Sequence, residues 1–229
     1  MDKEVIQILI NRGYAFINSW QPDLSTQDVV TKLGSVLDIS KLLPHSGIPN
    51  IQALRPRKQS TELNNQYSGS YGLGDFPLHT DLAHWQRPPR YILLRCIIGS
   101  PTVATVVISS TDLFSELDEA TLKRAVVRPR KKNTSDELCV LPVVYSENDV
   151  IRVRWDSLFL VPMNEAAKRV NRFIASYSWD NKCLAHVYLS QPGDTLIIDT
   201  WRMLHGRTAV QQSEKARLLE RAYLSDIRE

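Results

Sequence analysis

Two segments of the sequence carry residues that could hold one metal ion. His79 and Asp81 stand two residues apart, and side chains at that spacing on a β-strand point to the same face. His205, in the segment 201–207 after a strand predicted over 195–199, could supply a third ligand. Two imidazoles and one carboxylate form a facial triad, which leaves open positions on non-haem Fe(II). Such a site suits oxygen chemistry better than a closed structural role.

A third segment, 217–224, adds two arginines near the C-terminal end. If this segment is a strand, Arg217, Arg221 and Tyr223 share one face. Arginines that face a barrel interior need anionic partners, because an unpaired buried charge is costly. A dicarboxylate co-substrate would supply one, since arginine grips a carboxylate with two parallel hydrogen bonds. The alternative is an edge strand with both arginines in water.

Together these motifs resemble the taurine dioxygenase-like (TauD/TfdA) family of Fe(II)/2-oxoglutarate-dependent dioxygenases. The motifs that carry the resemblance are His79-Thr80-Asp81, His205-Gly206-Arg207 and Arg217-x-x-x-Arg221. The match is best over 67–108 and 193–226, and the order of the motifs is more specific than any one of them. The resemblance implies a mainly β fold with flanking α-helices: a double-stranded β-helix (jelly-roll, clavaminate synthase-like) with the metal inside one end.

The resemblance also implies a role for individual residues. The implied iron ligands are His79, Asp81 and His205. The implied 2-oxoglutarate-binding residues, at the distal carboxylate, are Thr105 and Arg217. The implied substrate-binding positions are Arg221, which meets an anionic substrate group in some family members, Asp75 and Leu82. Tyr67 and Trp85, near the metal motif, are further candidates for the pocket wall; support of the metal loop is the alternative for Trp85.

The function that the resemblance implies is hydroxylation of a small polar or amino-acid-like substrate. The reaction would use Fe(II) as the metal cofactor and would consume 2-oxoglutarate and O2, with release of succinate and CO2. Related halogenases lack the metal carboxylate, so Asp81 favours hydroxylation or another oxidation over halogenation. The chain is short for this family between positions 107 and 184, which predicts a thinner cover over the site. A thin cover would admit a larger substrate or require a partner.

Two other functions stay open on the sequence. One is a non-catalytic β-helix binding module that uses the basic cluster 128–132 to bind an acidic partner. The other is a divalent-metal hydrolase that uses the same triad. Activity without oxygen or 2-oxoglutarate would indicate the hydrolase, and binding lost on charge reversal of the cluster would indicate the module.

Composition sets the broad class of the protein. The 229 residues are 43% hydrophobic and 23% charged, typical of a soluble globular protein, and we expect a single domain over 1–229. The net charge of +3 is too small to predict nucleic acid or an anionic membrane as the main partner. Three widely spaced cysteines and a charged start predict a reducing, cytoplasmic location. Composition leaves the oligomeric state open.

The positioning elements follow from hydrophobic periodicity and turn residues. Helices are predicted over 4–11, from Ser25 with apolar spacing to Leu37, over 112–126 and over 164–178. Strands are predicted over 14–17, 91–98, 103–109, 139–145, 150–155, 185–189, 195–199 and 218–224, with mostly loop over 44–74. Consecutive short strands with few helices favour a β-sandwich or barrel over alternating βαβ units.

Overall fold

The structure is a computed structural model that describes residues 3–42, 48–60, 66–130, 139–147 and 150–228. Its helices are α1 (Lys3–Arg12), α2 (Thr26–Leu33), α3 (Ile39–Leu42), α4 (Tyr67–Tyr71), α5 (Ser110–Leu113), α6 (Glu119–Arg124) and α7 (Glu165–Ala175). Its strands are β1 (Tyr14–Ile17), β2 (Gly34–Val36), β3 (Gln52–Leu54), β4 (Phe76–His79), β5 (Tyr91–Ile98), β6 (Ala104–Ser109), β7 (Val126–Pro129), β8 (Leu141–Pro142), β9 (Val144–Glu147), β10 (Val150–Val153), β11 (Leu160–Pro162), β12 (Ala185–Tyr188), β13 (Thr195–Asp199), β14 (Met203–Arg207) and β15 (Leu218–Ile227).

Two antiparallel sheets form the centre of the molecule. The larger sheet has the order β1-β13-β5-β15-β2, with β3 also paired to β15. The smaller has the order β12-β6-β14-β4. One apolar cluster draws side chains from both sheets, including Ile92, Leu94, Leu196 and Ile198 from the larger and Val107, Val187 and Met203 from the smaller. The core therefore lies between the two sheets, and β15 and β14 place the candidate site residues along it.

Each sheet is also covered on its outer side. Leu9 of α1 and Leu33 of α2 pack with Leu93 and Ile197 of the larger sheet. On the smaller sheet, Val106 and Leu204 belong to a cluster with α7 and the strands β7–β11, centred on the buried Trp155. Burial on both faces explains why all of β13 is buried and why its centre, 196–198, is apolar without alternation. None of the helices in the described ranges has the length and apolar character needed to span a lipid bilayer.

Most of the predicted elements are confirmed. The strands β1, β5 and β13 have the predicted bounds, and β9 pairs with β10 as the predicted hairpin. Ser25 caps α2, because its hydroxyl accepts the Asp28 amide at 3.1 Å. Capping of this kind satisfies an amide that the first helical turn leaves free.

Three predictions of secondary structure were wrong. The apolar spacing after Ser25 predicted a helix as far as Leu37, but Gly34–Val36 leaves the helix to pair with β15. The helix predicted over 112–126 is split in two, because Asp118 caps α6 with a hydrogen bond from the Thr121 amide. The strand predicted over 139–145 is interrupted at Val143, since β8 pairs with β7 whereas β9 pairs with β10. The segment 44–74 was predicted as mostly loop with short strands, and its described residues form only β3 and the five-residue α4, while 43–47 and 61–65 lie outside the described residues.

Candidate active site

The three predicted metal ligands meet between neighbouring segments of the smaller sheet. His79 is the last residue of β4, and it faces His205 of β14 in the strand register. Asp81 Oδ1 lies 3.4 Å from His79 Nε2 and 3.9 Å from His205 Nε2. All three side chains are buried, and each offers a ligand atom within 4.8 Å of the others. The arrangement has the donor set and spacing of a facial triad for a divalent metal.

Asp81 reaches the triad by a turn rather than by strand alternation. The strand β4 ends at His79, so the alternation from which the pair was predicted does not extend to Asp81. Instead, Thr80 donates its amide to the Trp155 carbonyl at 2.7 Å and accepts the Trp155 amide on its hydroxyl at 3.2 Å. A turn follows, in which Leu82 has a φ of +54°. These contacts direct the carboxylate back toward the histidines.

Hydrogen bonding leaves His79 ready to ligate through Nε2. Its Nδ1–H donates to the Pro77 carbonyl at 2.8 Å, which places the lone pair on the other nitrogen. The Tyr67 ring stacks on this imidazole, with ring centroids 4.2 Å apart and planes inclined by 23°. The ring is therefore held both at its edge and on its face.

The charges of the triad suit a metal ion. Burial, with His79 nearby, lowers the pKa of His205 to about 3, so this ring is neutral near pH 7. Burial opposes the charged form of His79, but the Asp81 carboxylate outweighs it and raises the pKa of this histidine. Burial also opposes ionisation of Asp81, yet Arg221 and the two histidines hold its pKa well below the usual range. The cluster thus contains an ionised carboxylate beside a neutral imidazole.

Gly206 allows the two histidine strands to approach closely. A Cβ at this position would lie 2.6 Å from the Phe76 carbonyl oxygen of β4 and 2.9 Å from the Trp179 ring. The first of these neighbours is backbone and cannot move without shifting β4. The glycine between His205 and Arg207 is thus required by the spacing of β4 and β14.

We expect Gly206→Ala to damage the metal site. The added methyl group would push β4 away from β14, with a loss of unfolding free energy of about 1–3 kcal/mol. Denaturant unfolding and a metal titration of the same sample measure both effects. Gly74→Ala is the comparison, since its Cβ has a single close neighbour, at 3.1 Å. Equal metal affinity in wild type and Gly206→Ala would contradict the expectation.

The triad opens into a large cavity of about 1140 Å³. Predicted residues that line it are Thr105 and Arg217, expected at 2-oxoglutarate, and Tyr67, Leu82, Trp85 and Arg221, expected at the substrate. Further lining residues include Gln52, His84, Asp156 and Phe159. The cavity reaches the surface, because the exposed Arg55, Arg57 and Arg130 also line it.

Two predicted substrate residues are placed differently from the expectation. Asp75 is exposed and is not among the described residues that line the cavity. Its carboxylate accepts the Ala209 amide at 2.6 Å, because it lies before β4 begins and faces the neighbouring loop. Arg221 does line the cavity, but its terminal nitrogens donate to Asp81 and to Gln52. The Asp75 carboxylate and the Arg221 guanidinium therefore both bind protein groups rather than pointing into open space.

Arg217 is a buried arginine of the cavity whose guanidinium is not fully engaged by protein groups. It is buried with 4% exposure, and its Nε and Nη2 make no hydrogen bond to the residues that the structure describes. Burial lowers its pKa to about 10, so the guanidinium remains charged at neutral pH. A buried cation without a partner is costly, and an anion in the cavity would remove that cost. The position fits a carboxylate of a bound co-substrate, and the buried Thr105 lines the same cavity.

Two other buried arginines shape the site without facing a ligand. Arg207 donates to the Gly74 carbonyl at 2.6 Å and lies over the Phe76 ring, which ties β14 to the loop before β4. Arg154 donates to the carbonyls of Ala83, Trp85 and Gln86. It therefore fixes the turn that follows the metal motif.

Sequence reasoning missed Asp156. This carboxylate is buried, lines the cavity, and accepts the amides of Leu158 and Phe159 on Oδ1 at 2.8 and 2.9 Å. Both bonds go to one oxygen, which leaves Oδ2 for the nearby Tyr67 hydroxyl or for a ligand. Burial raises the pKa of Asp156, against the influence of His79 and the two amides. An acid directly after the strand predicted over 150–155 was the signal that could have found it.

The basic cluster 128–132 is only partly within the described residues, because Lys131 and Lys132 fall in an undescribed range. Arg128 donates to the adjacent Pro129 carbonyl. Arg130 donates to the carbonyls of Ser157 and Leu158 beside the cavity. The side chains of these two arginines therefore make hydrogen bonds to backbone carbonyls of the same chain.

A comparison with protein families decides the relationship. The family model described as taurine catabolism dioxygenase TauD, TfdA family matches residues 1–223. The chain belongs to this family. This match confirms the predicted resemblance of the chain to the TauD/TfdA family.

Solved structures confirm the fold of this TauD/TfdA member as a double-stranded β-helix. PvcB from Pseudomonas aeruginosa is 14% identical, with 97% of this chain and 79% of PvcB covered and a TM-score of 0.67. OrfP, a non-heme iron oxygenase in complex with Fe, succinate and (3S)-hydroxy-L-Arg, is 18% identical over 96% of this chain and 77% of its own, with a TM-score of 0.60. An asparagine oxygenase in complex with Fe(II), 2S,3S-3-hydroxyasparagine and succinate is 19% identical, with 77% of this chain covered and a TM-score of 0.58. The match spans 56% of that oxygenase, little more than half its length.

Proposed function

We propose that this chain is an Fe(II)- and 2-oxoglutarate-dependent oxygenase that hydroxylates a small polar or amino-acid-like substrate and releases succinate and CO2. The observation that carries the proposal is the pairing, in one cavity, of a buried His-His-Asp cluster with a buried arginine that has an unengaged guanidinium. Neither feature alone requires a co-substrate. Together they match a metal with open positions beside an anion-binding group.

Iron would be held by His79, Asp81 and His205, one ligand atom from each. Bound with 2-oxoglutarate, the metal supplies the oxidising chemistry through O2. The protein would offer the metal an ionised Asp81 carboxylate beside a neutral His205 imidazole, and all three ligand side chains are buried.

Arg217 would hold the distal carboxylate of 2-oxoglutarate, with Thr105 as a second donor. The support is the burial of both side chains and the absence of any hydrogen bond, within the described ranges, to Arg217 Nε and Nη2. A divalent-metal hydrolase that acts on an uncharged substrate would leave this buried cation without an anion. The geometry thus favours the oxygenase over the hydrolase.

Asp156 is our candidate for recognition of the substrate. It is the one acid lining the cavity, among the described residues, apart from the metal ligand Asp81. A buried carboxylate favours an ammonium, guanidinium or amide donor. Asp156 lies beside Tyr67 and Phe159, which supply apolar surface at the same wall. The hydroxylated asparagine and arginine bound to two structural relatives carry groups of this chemistry and support the choice.

We expect Asp156→Asn to raise the substrate KM by about 10- to 100-fold, the cost of losing a charge-assisted hydrogen bond of about 1.5–3 kcal/mol. The change in KM should exceed any change in the dissociation constants of the metal and of 2-oxoglutarate, because the substitution keeps the side-chain volume and removes none of the proposed ligands of either. Steady-state kinetics provide the measurement. Asp75→Asn makes the same chemical change outside the cavity and is expected to have no effect. A similar KM change in both variants would rule out Asp156 as the recognition group.

The proposed activity is tested by incubating the protein aerobically with Fe(II), 2-oxoglutarate and a panel of free amino acids. Succinate formation that needs all components, with a product one oxygen atom heavier than its substrate, is the expected result. Turnover without oxygen or 2-oxoglutarate would point to the hydrolase. A protein that binds neither metal nor 2-oxoglutarate, yet binds an acidic partner through the 128–132 cluster, would be the non-catalytic module.

A cytoplasmic location and a single domain over 1–229 remain part of this proposal. All three cysteines lie within the described residues, and none of them is in a disulfide. Cys96 is buried in β5, and the other two are more accessible. Free thiols of this kind are typical of a reducing compartment.

A further inference from the structure

Two donors converge on one oxygen of the metal carboxylate. Arg221 Nη1 and the Tyr223 hydroxyl each lie 3.0 Å from Asp81 Oδ2. The other oxygen, Oδ1, faces the two histidine Nε2 atoms. The two oxygens of Asp81 therefore have different surroundings: Oδ2 accepts hydrogen bonds from protein donors, whereas Oδ1 faces the histidine nitrogens.

The strand β15 explains why these donors act together. Arg221 and Tyr223 are two residues apart on it, so their side chains share a face. The strand is paired with β5 along this stretch and with β3 at Arg221, whose register partner is Gln52. Gln52 Oε1 accepts a hydrogen bond from Nη2 of Arg221 at 2.5 Å. The guanidinium is thus held across the sheet and cannot turn away without breaking two hydrogen bonds.

We propose that Arg221 and Tyr223 are positioning residues that hold Asp81 Oδ2, so that Asp81 offers the metal Oδ1 alone. This inference rests on the proposed function, because it concerns the same metal site. Three single-atom ligands would leave room on the metal for 2-oxoglutarate and oxygen, and a carboxylate that bound through both oxygens would occupy part of that room. The role also differs from the predicted one, in which Arg221 meets an anionic group of the substrate.

The experiment uses infrared difference spectra of full-length protein labelled with [13C]aspartate, recorded with and without Zn(II) alone. The antisymmetric and symmetric carboxylate stretches lie further apart when one oxygen binds a metal than when both do. Wild type should show the wide separation. The double variant Arg221→Met/Tyr223→Phe should show a narrower one, and its Zn(II) dissociation constant should rise about 10- to 100-fold, the usual effect of losing hydrogen-bond partners of a ligand.

Matched variants separate positioning from general damage. Arg221→Lys, which restores a charged donor, should recover the wide separation in the Tyr223→Phe background. Tyr145→Phe removes a hydroxyl outside the cavity lining and should behave as wild type. A double variant that keeps the wild-type separation and affinity would overturn the inference while leaving the proposed function intact. Failure of wild type to bind Zn(II) would overturn both.

Discussion

The His79→Ala variant is expected to lose succinate formation and at least about 100-fold in metal affinity, more than the loss of an outer hydrogen-bond partner costs. His79 contributes a ligand nitrogen whose orientation is set by its bond to Pro77. Its removal leaves two ligands, of which one is the Asp81 carboxylate still held by Arg221 and Tyr223. The measurement is Fe(II) binding under anaerobic conditions, followed by a succinate assay.

The control for His79→Ala is His186→Ala, which removes an exposed histidine on β12. It should leave metal binding and turnover unchanged. Circular dichroism of both variants checks that the two sheets remain folded. Full turnover by the His79 variant would remove the metal assignment for the whole triad.

Arg217→Met is expected to weaken 2-oxoglutarate binding by roughly 30- to 1000-fold, since truncating one partner of a buried charge pair costs about 2–4 kcal/mol. Metal affinity should change little, because Arg217 lies outside the triad. The variant itself should be at least as stable as wild type, since it removes a buried cation with two unengaged nitrogens. Titration of 2-oxoglutarate and thermal unfolding measure the two effects.

Two further variants test the 2-oxoglutarate prediction: Arg217→Lys keeps the charge at the site, and Arg128→Met is a control outside the cavity. Lysine keeps the charge but cannot form two parallel hydrogen bonds, so it should fall between wild type and Arg217→Met. Arg128 lies outside the cavity lining and should tolerate methionine without loss of 2-oxoglutarate binding. An Arg217→Met protein that binds 2-oxoglutarate as tightly as wild type would place the co-substrate elsewhere.

The metal cluster and the apolar strands were predictable because their signals are local. The apolar segments 91–94 of β5 and 196–198 of β13 do not alternate with polar residues, and this pattern reflects burial on both faces. His79 and His205 lie on neighbouring strands, and their types and order identified them. Alternation along β15 also indicated that Arg221 and Tyr223 share a face, whereas Arg217 lies one residue before the strand.

Contacts between distant segments could not be predicted in this way. Asp156 enters the cavity because Trp155 is bound to Thr80, 75 residues earlier in the chain. Asp75 stands close to the metal motif in sequence, but the register of β4 and β14 shifts nearby and its carboxylate faces another loop. The strand face on which Arg221 lies was predictable. Its partners Asp81 and Gln52 were not, because they depend on how β15 lies relative to β3, to β4 and to the turn after β4.

The most direct test is an anaerobic absorption titration of the protein with Fe(II) and then with 2-oxoglutarate. We predict a weak visible charge-transfer band that needs both additions and is lost in Arg217→Met at limiting 2-oxoglutarate. That result would establish the metal and its co-substrate in one cavity. Bound iron with no such band at saturating 2-oxoglutarate would exclude 2-oxoglutarate as the co-substrate of this protein.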